Sequence, residues 1–214
     1  MRFLCLHGAG TSAEIFEIQS GGITQALEDE GHEFVYVDGR QESEPEPELK
    51  GAGIPPFFTH YPRDRAPGED LIRAFEHITN IIETQGPFDG VMGFSQGAGV
   101  SSALIAHRAK TNQKPLFKLA VFICGAAPFD AATNGKEFLT APEGQYPIDI
   151  PTTNIVGKLD HVYDMSMSLY GLCEPSKTEF YDHGSRHLIP FDVENTNNMT
   201  AAVRKTIARA MRGD

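Results

Sequence analysis

Three features are scarce in this 214-residue chain, namely cysteine, positive charge and long apolar runs. Its cysteines, Cys5, Cys124 and Cys173, are an odd number in no metal-ligand spacing, which predicts reduced, buried thiols and no metal cluster. Lysine and arginine together number 18 against 29 acidic residues, so the net charge is −11 and we expect no binding to nucleic acid or to anionic lipid. The longest apolar run, Leu119–Phe129, is interrupted by Gly125 and is too short to span a bilayer.

The first residues and the overall composition predict a location and a size class. The apolar stretch before His7 is too short for the core of a signal peptide, so we expect a cytoplasmic protein. Hydrophobic residues make up 40% of the chain, which is enough to bury a sizeable core. A chain of this length is expected to form one domain, residues 1–214.

Short apolar segments alternate with helical patterns along most of the chain. This alternation predicts an α/β fold with a doubly wound, mostly parallel sheet of about six strands, helices on both faces and no large separate cap domain. In such a sheet, functional sites form at the carboxyl ends of the strands. The six predicted strands are Arg2–Leu6, Glu33–Val37, Gly90–Phe94, Leu119–Cys124, Thr152–Val156 and Lys177–Tyr181.

One segment, residues 39–68, does not show this alternation of strand and helix patterns. Its first half alternates glutamate and proline, which is typical of a solvated strip, and its second half carries Phe57, Phe58 and Tyr61. A loop of this length within a compact domain is usually functional or disordered, and we expect it to resemble a lid. The three aromatic side chains either anchor the loop to the body or form the wall of an apolar substrate pocket, and the sequence leaves both interpretations open.

The pentapeptide Gly93-Phe94-Ser95-Gln96-Gly97 is a G-x-S-x-G motif between a predicted strand and a predicted helix. A sharp strand-to-helix turn raises such a serine above the sheet, while the flanking glycines leave space where a Cβ would collide. The first N–H groups of the helix then face the site, and the helix dipole favours negative charge there. The motif in this context predicts that Ser95 is a nucleophile.

A nucleophilic serine needs a base and an acid, which this architecture supplies in the order Ser, acid, His. Asp160 directly follows the fifth predicted strand, whereas Asp164 lies further on, within a predicted helix. His183 follows the sixth strand by only two residues, while His187 lies beyond a Gly-Ser loop that can fold back toward Ser95. We therefore predict Asp160 as the acid and His187 as the base.

An oxyanion hole requires two hydrogen-bond donors. We expect the backbone N–H of Gln96 to be one of them and the N–H of Ala9, in the glycine-containing loop after the first strand, to be the other. The side chains of Thr11 and Ser12 in the same loop are typical of helix caps.

That first loop also admits a different function. Residues 8–13 fit G-x-G-x-x-A after a strand, and Asp38 ends the next strand, a pattern typical of dinucleotide binding in an NAD(P)-dependent oxidoreductase. Asp38 is somewhat far from Gly8, however, and Gly21-Gly22 interrupts the helix that would receive the pyrophosphate. This alternative also leaves the positions of Ser95, Asp160 and His187 unexplained.

With these residues assembled, the chain resembles the α/β-hydrolase fold and, within it, the small fungal serine hydrolases related to the tumour-suppressor-candidate hydrolase of animals. The family usually has Gly-Gly-His where this sequence has Gly184-Ser185-Arg186-His187, one residue longer. The resemblance extends over nearly the whole chain, in LCLHGAGTSAEIF, FVYVDG, GPFDGVMGFSQGAGVSSAL, VGKLDHVY and HGSRHLIPF.

The resemblance implies hydrolysis of acyl thioesters or esters without a cofactor or a metal. The first loop looks most like that of members found beside polyketide synthases, which are described as thioesterases that release an acyl chain from its carrier protein, or as esterases. An acyl-carrier protein or a polyketide synthase is then the expected partner, and Lys50, Arg63 and Arg65 are candidates for docking it. A carboxylesterase that acts on free small-molecule esters is the alternative.

Overall fold

The centre of the molecule is a six-stranded sheet in which every neighbouring pair of strands is parallel. The computed structural model describes residues 1–49 and 55–213, with only the backbone of Glu48 described. The strands of this sheet are β1 Arg2–Leu6, β2 Glu33–Val37, β5 Gly90–Phe94, β6 Leu119–Ile123, β7 Thr152–Val156 and β8 Thr178–Asp182, and two short strands outside it are β3 Gln41–Glu42 and β4 Phe58–Thr59. The order of strands across the sheet is β2-β1-β5-β6-β7-β8, which confirms the predicted parallel sheet.

The strand order determines where a site can form. From β1 the chain moves outward to β2, returns across the sheet to β5 and then continues away from β1 to β8. The loops after β1 and β5 therefore leave the sheet in opposite directions and open a crevice at its carboxyl edge. The glycine-containing loop after β1 and the G-x-S-x-G turn after β5 meet at this crevice.

Helices cover both faces of the sheet, as predicted, in the part of the chain that the structure describes. Helices α1 and α5 pack against each other and against one face, while α2 and α3 cover the other. Gly21 and Gly22 do not interrupt α1, and a Cβ on Gly22 would lie 3.3 Å from the Thr196 hydroxyl of α5, so the glycine permits close helix packing. The helices are α1 Ala13–Glu28, α2 Asp70–Gln85, α3 Gln96–Lys110, α4 Tyr163–Tyr170 and α5 Val193–Arg212.

Three strand boundaries differ from the predicted ones by one residue. Cys124 was predicted to end β6, but its φ of +45° takes it out of the strand. The last strand begins at Thr178 rather than Lys177, because Pro175–Lys177 forms a 3₁₀ turn, and it ends at Asp182 rather than Tyr181. All three differences lie at element ends, where the hydrophobic pattern carries least information.

The 39–68 segment is fastened to the body at the points that the structure describes. Two short strands, β3 Gln41–Glu42 and β4 Phe58–Thr59, pair in antiparallel fashion. The N–H of Gly10 donates to the carbonyl of Phe58 at 2.8 Å, and the N–H of Phe58 donates to the carbonyl of Thr11 at 2.7 Å. The aromatic half of the segment is thereby joined to the loop after β1.

The described residues contain no separate cap domain over the sheet. None of the helices in those residues has both the length and the apolar character that a membrane span requires.

Candidate active site

Ser95 occupies a strained turn between β5 and α3. Its φ of +53° and ψ of −114° lie in a region that non-glycine residues avoid, and such strain costs about 1–3 kcal/mol. A Cβ on Gly93 would lie 2.5 Å from the backbone nitrogen of Ala98, and a Cβ on Gly97 would collide with the carbonyl of Leu6. The two glycines of the motif are therefore required for the close crossing of strand and helix that presents the Ser95 side chain.

The structure brings Ser95, His187 and Asp160 together in one hydrogen-bonded series. His187 Nε2 lies 3.0 Å from Ser95 Oγ, and His187 Nδ1 lies 2.8 Å from Asp160 Oδ2. The other carboxylate oxygen of Asp160 accepts from the N–H of Val162 at 2.9 Å. Asp164, the competing acid in the sequence, lies in the first turn of α4.

Burial and hydrogen bonding act in opposite directions on the acid of this series. The Asp160 side chain is fully buried and that of His187 is 6% exposed. Burial by itself raises the pKa of Asp160, but hydrogen bonds from His187 and the Val162 N–H outweigh it and hold the pKa below its usual value. Asp160 is thus a carboxylate that accepts the His187 Nδ1 proton and leaves Nε2 free to accept a proton from Ser95.

The longer loop that carries His187 is held by a set of local hydrogen bonds. Gly184, at φ +70°, donates its N–H to Asp182 Oδ1 at 2.8 Å, and the carbonyl of Ser185 accepts from the N–H of Leu159 at 3.0 Å. The Cys124 thiol lies 3.7 Å from the carbonyl of Leu188, the residue after His187. The extra residue is accommodated within this tight turn.

His183 lies beneath the same loop rather than beside Ser95. It is 7% exposed, and its Nδ1 accepts from the N–H of Ser185 at 3.2 Å. Its Nε2 therefore carries the proton and lies 3.5 Å from Cys124 Sγ. A Cβ on Gly157 would be 2.5 Å from the His183 ring, so this glycine makes room for the buried imidazole.

Cys124, Asp160 and His187 offer one donor atom each within 4.8 Å of one another, and among the described residues they form the candidate metal cluster. Asp160 Oδ2 and His187 Nδ1 already hydrogen-bond to each other at 2.8 Å, so these two atoms are not free to bind a metal ion. The arrangement favours proton transfer over metal binding.

Ala9 and Gln96, the predicted oxyanion donors, line the same cleft as Ser95. Gln96 is the first residue of α3, where backbone N–H groups have no partner within the helix. In the loop after β1 the N–H of Gly10 is engaged by the carbonyl of Phe58, which leaves Ala9 as the residue of that loop facing the cleft.

The side chain of Gln96 has a second role, which the sequence analysis missed. Its Oε1 accepts from the Thr59 hydroxyl at 2.7 Å and from the His60 N–H at 2.9 Å, and its Nε2 donates to the carbonyl of Tyr61 at 2.9 Å. One buried amide thereby ties residues 59–61 to the serine turn. No pattern in the sequence links position 96 to a loop 35 residues earlier.

Two buried histidines support the same region. The N–H of Gly39 donates to His7 Nε2 at 2.8 Å, so His7 Nδ1 carries the proton and donates to the carbonyl of Gly8 at 2.6 Å. His60 Nε2 donates to the carbonyl of His7 at 3.0 Å. Burial lowers the pKa of His7, and it lowers the pKa of His60 to about 3, so both rings are neutral.

The cleft in front of Ser95 has a volume of about 730 Å³. One part is apolar and includes Tyr61, Phe129, Phe138 and Met165. The rim carries charges of both signs, from Glu46, Arg63, Asp64 and Arg65. Lys50, the third predicted docking residue, lies outside the described residues.

Of the three aromatic residues predicted for the pocket, Tyr61 lines this cleft, whereas the described lining includes neither Phe57 nor Phe58. The reason is the short β3–β4 pairing, in which Ser43 donates its N–H to the carbonyl of Phe57 and Glu42 pairs with Phe58. Phe57 borders a separate depression. The anchoring interpretation therefore holds for the two phenylalanines and the pocket interpretation for Tyr61.

The residues of the dinucleotide pattern have structural roles. Asp38 Oδ1 accepts from the N–H of Ala13 at 2.8 Å, at the start of α1 where a pyrophosphate would lie. Ser12 caps the same helix through the N–H of Ile15. The carbonyl of Gly10 accepts from the N–H of Glu46 at 2.9 Å, so the glycine turn is covered by the 39–68 segment.

Comparison with known sequences identifies a family. The family described as "Serine hydrolase (FSH1)" matches residues 1–199 of the chain. "Esterase FPY3" of Fusarium mangiferae is 34% identical over 220 residues, which cover 100% of this chain and 100% of the relative. "Hydrolase phiM" of Talaromyces stipitatus is 30% identical over 219 residues and covers 96% of this chain and 87% of its own.

Solved structures of low sequence identity share the fold. A carboxylesterase of Bacillus cereus superposes with a TM-score of 0.64 at 15% identity, over 95% of this chain and 87% of that one. Acyl-protein thioesterase 2 of Zea mays superposes with a TM-score of 0.59 at 20% identity, over 96% and 93% of the two chains. The predicted α/β-hydrolase fold is thereby confirmed.

Proposed function

Since this chain belongs to the serine hydrolase (FSH1) family, we propose that it cleaves acyl thioesters and carboxylic esters through an acyl enzyme formed on Ser95. The observation that carries the proposal is the series from Ser95 Oγ through the His187 ring to the Asp160 carboxylate, with hydrogen-bond distances of 3.0 and 2.8 Å. A serine made reactive by an oriented imidazole at the head of a cleft is the arrangement that acyl transfer requires.

In the first half of the reaction, Ser95 Oγ attacks the acyl carbonyl while His187 Nε2 takes its proton. Asp160 holds the imidazole in the required tautomer and stabilises the imidazolium that forms. The N–H groups of Ala9 and Gln96 stabilise the tetrahedral oxyanion. Collapse of this intermediate breaks the bond to the thiol or alcohol, which leaves with the proton from His187.

In the second half, water attacks the acyl-Ser95 ester as His187 accepts a proton from it. A second tetrahedral intermediate collapses, the carboxylic acid leaves, and Ser95 regains its proton from His187. The whole cycle uses side chains and backbone N–H groups of this chain and needs no cofactor.

For the substrate, we propose an apolar acyl chain of the polyketide type, carried as a thioester on a carrier protein or a small thiol. The apolar part of the cleft supports the acyl assignment, and a thioester is more easily attacked than an ester. The net charge of −11 would repel an acidic carrier protein at long range, so the carrier must dock on a local patch of positive charge. Arg63 and Arg65 on the rim of the cleft can form that patch.

Hydrolysis of free esters is the second candidate, and the similarity to "Esterase FPY3" over the whole length of both chains favours it. The same serine chemistry serves both substrates, and only the leaving group differs. We also propose a cytoplasmic location, because the three cysteines are buried free thiols, as expected in a reducing compartment.

The experiment is a hydrolysis panel of acyl thioesters and esters of graded chain length, with the wild type compared with Ser95→Ala. We expect turnover by the wild type, a loss on the order of 10⁶ in the variant, and a covalent fluorophosphonate adduct on the wild type alone. A Ser95→Ala enzyme that kept more than a few per cent of activity would refute the proposal. Calorimetry with NAD(H) should show no binding, and binding would revive the oxidoreductase alternative.

A further inference from the structure

The Tyr61 side chain is buried, but its hydroxyl has no hydrogen-bond partner among the residues that the structure describes. The residue is 4% exposed, and its ring packs edge-on against Phe129 with the centroids 6.0 Å apart. Its backbone carbonyl is held by Thr59 and Gln96. Among the described residues nothing hydrogen-bonds to the hydroxyl, and burial alone raises the pKa of Tyr61 above its usual value.

The Tyr61 hydroxyl lies close to the backbone that carries the nucleophile. It is 3.3 Å from the point where a Cβ on Gly99 would be, and Ala126 flanks the same point. The carbonyl of Ser95 accepts from the N–H of Gly99 at 3.1 Å and from that of Ala126 at 3.0 Å. The hydroxyl therefore lies against the first turn of α3, beside the residue that follows Ser95 by about one helical turn.

The Tyr61 hydroxyl oxygen is also not sealed from solvent. Among the described residues, the side-chain polar atoms that are both sealed from solvent and unpartnered are Gln19 Oε1 and Arg40 Nε. The Tyr61 oxygen is not one of them although it has no partner among the described residues, and Tyr61 lines the cleft in front of Ser95. Buried tyrosine hydroxyls usually have a partner, so an unpaired one facing a substrate cleft is a free donor for the ligand.

We propose that Tyr61 donates a hydrogen bond to an oxygen on the acyl group, and that this chain therefore prefers acyl chains that carry a hydroxyl or oxo group to saturated ones. The stacked rings of Phe129 and Phe138, with centroids 4.6 Å apart, then receive the apolar remainder of the chain.

The physical basis of the preference is that a polar group in a mostly apolar wall discriminates against a substrate that cannot pair with it. A saturated acyl chain would cover the hydroxyl and remove it from water without replacing the hydrogen bond. An oxygenated chain restores that bond. The proposal rests on the proposed acyl hydrolysis at Ser95 and adds the chemistry of the acyl group.

The test compares wild type, Tyr61→Phe and Tyr170→Phe on octanoyl and 3-hydroxyoctanoyl thioesters of N-acetylcysteamine. Tyr170 is the matched control, because its ring packs on Phe180 and it is not part of the described cleft lining. We expect Tyr61→Phe to lower the ratio of kcat/KM for the 3-hydroxyoctanoyl thioester to kcat/KM for the octanoyl thioester by roughly 10- to 100-fold. Tyr170→Phe should leave both values near those of the wild type.

Three outcomes contradict the inference in distinguishable ways. If Tyr61→Phe changes kcat/KM for both thioesters by the same factor, or changes neither, at an unchanged Tm, the hydroxyl does not bind the acyl oxygen, although the hydrolase proposal stands. If Tyr61→Phe lowers kcat/KM by as much for an octanoate ester that carries the hydroxyl in its alcohol, the Tyr61 hydroxyl faces the leaving group and the inference is wrong. If the wild type cleaves no thioester or ester and forms no fluorophosphonate adduct, the proposed function fails and the inference fails with it.

Discussion

On one side of Ser95, short turns after β7 and β8 bring Asp160 and His187 to the serine. On the other side, Tyr61 forms the wall of the cleft, and it belongs to a long segment that few backbone pairings hold. The first side is positioned by the sheet, since parallel neighbours end at the same edge. The second is positioned by side chains, chiefly the Gln96 amide and the His60 ring.

This difference predicts how each side fails. Removing a group on the sheet-positioned side should abolish chemistry while leaving the fold intact, because the backbone does not depend on the side chain. Removing a group on the side-chain-positioned side should displace the wall of the cleft and reduce both substrate fit and stability. The variants below separate the two cases, from the largest expected effect to the smallest.

His187→Ala should lower kcat by about 10⁶, because no other described side chain bonds to Ser95 Oγ. The comparison variant is His161→Ala, because this imidazole lines the same cleft with its ring centroid 4.9 Å from that of His187, but its side chain is 73% exposed. In steady-state kinetics on one thioester, the loss in His161→Ala should be small beside the loss in His187→Ala. Equal losses in the two variants would mean that the base has been assigned to the wrong imidazole.

Asp160→Asn should lower kcat by about 10⁴ with little change in KM, because an amide favours the wrong His187 tautomer. Asp164→Asn is the control, since that carboxylate lies in α4. The measurement is kcat and KM for both variants, together with their thermal unfolding. A larger kcat loss in Asp164→Asn than in Asp160→Asn would mean that Asp164, and not Asp160, is the acid that orients His187.

The sheet-positioned side was predictable from the sequence for a physical reason. Strand ends are readable from apolar runs, and a parallel sheet places them at one edge, so Asp160 and His187 could be matched to Ser95 before any coordinates. The His187 loop, with Gly184 at φ +70° and its N–H bonded to Asp182 Oδ1, returns His187 to Ser95 as the sequence predicts.

The other side was not predictable in the same way. Whether Phe57, Phe58 or Tyr61 faces the cleft depends on the register of a two-residue strand pairing, which leaves no periodic signal. The contacts of Gln96 with residues 59–61 join distant positions through one side chain, and a single sequence carries no trace of such a pairing. The buried partners of Cys124 and His183 were missed for the same reason.

Gln96→Leu should lower kcat/KM by about 10², because residues 59–61 lose three hydrogen bonds and a shift of about 1 Å near a reacting centre has an effect of that size. The backbone N–H of residue 96 remains, so the oxyanion donor is retained. Gln113→Leu, on the surface, is the control. If Gln96→Leu matched the wild type in kcat/KM and Tm, the hydrogen bonds from the Gln96 side chain to residues 59–61 would contribute neither to activity nor to stability.

His60→Gln should make the stability of the protein less sensitive to acid. Burial lowers the pKa of His60 from 6.5 to about 3, so between these values the unfolded chain binds a proton that the folded chain does not. The free energy of unfolding contributed by this group therefore falls by up to about 1.4 kcal/mol for each pH unit below 6.5. Glutamine can still donate to the carbonyl of His7 but does not titrate.

Urea unfolding from pH 7 down to pH 4 measures this effect, with His161→Gln as the control because that ring is exposed. The His60→Gln curve should decline less steeply than the wild-type curve, with the residual slope reflecting the other groups that take up protons on unfolding, among them His7. Parallel curves for wild type and His60→Gln would show that His60 takes up a proton in the folded state, which requires water to reach the ring. The side-chain-positioned wall would then be looser than the buried contacts of His60 imply.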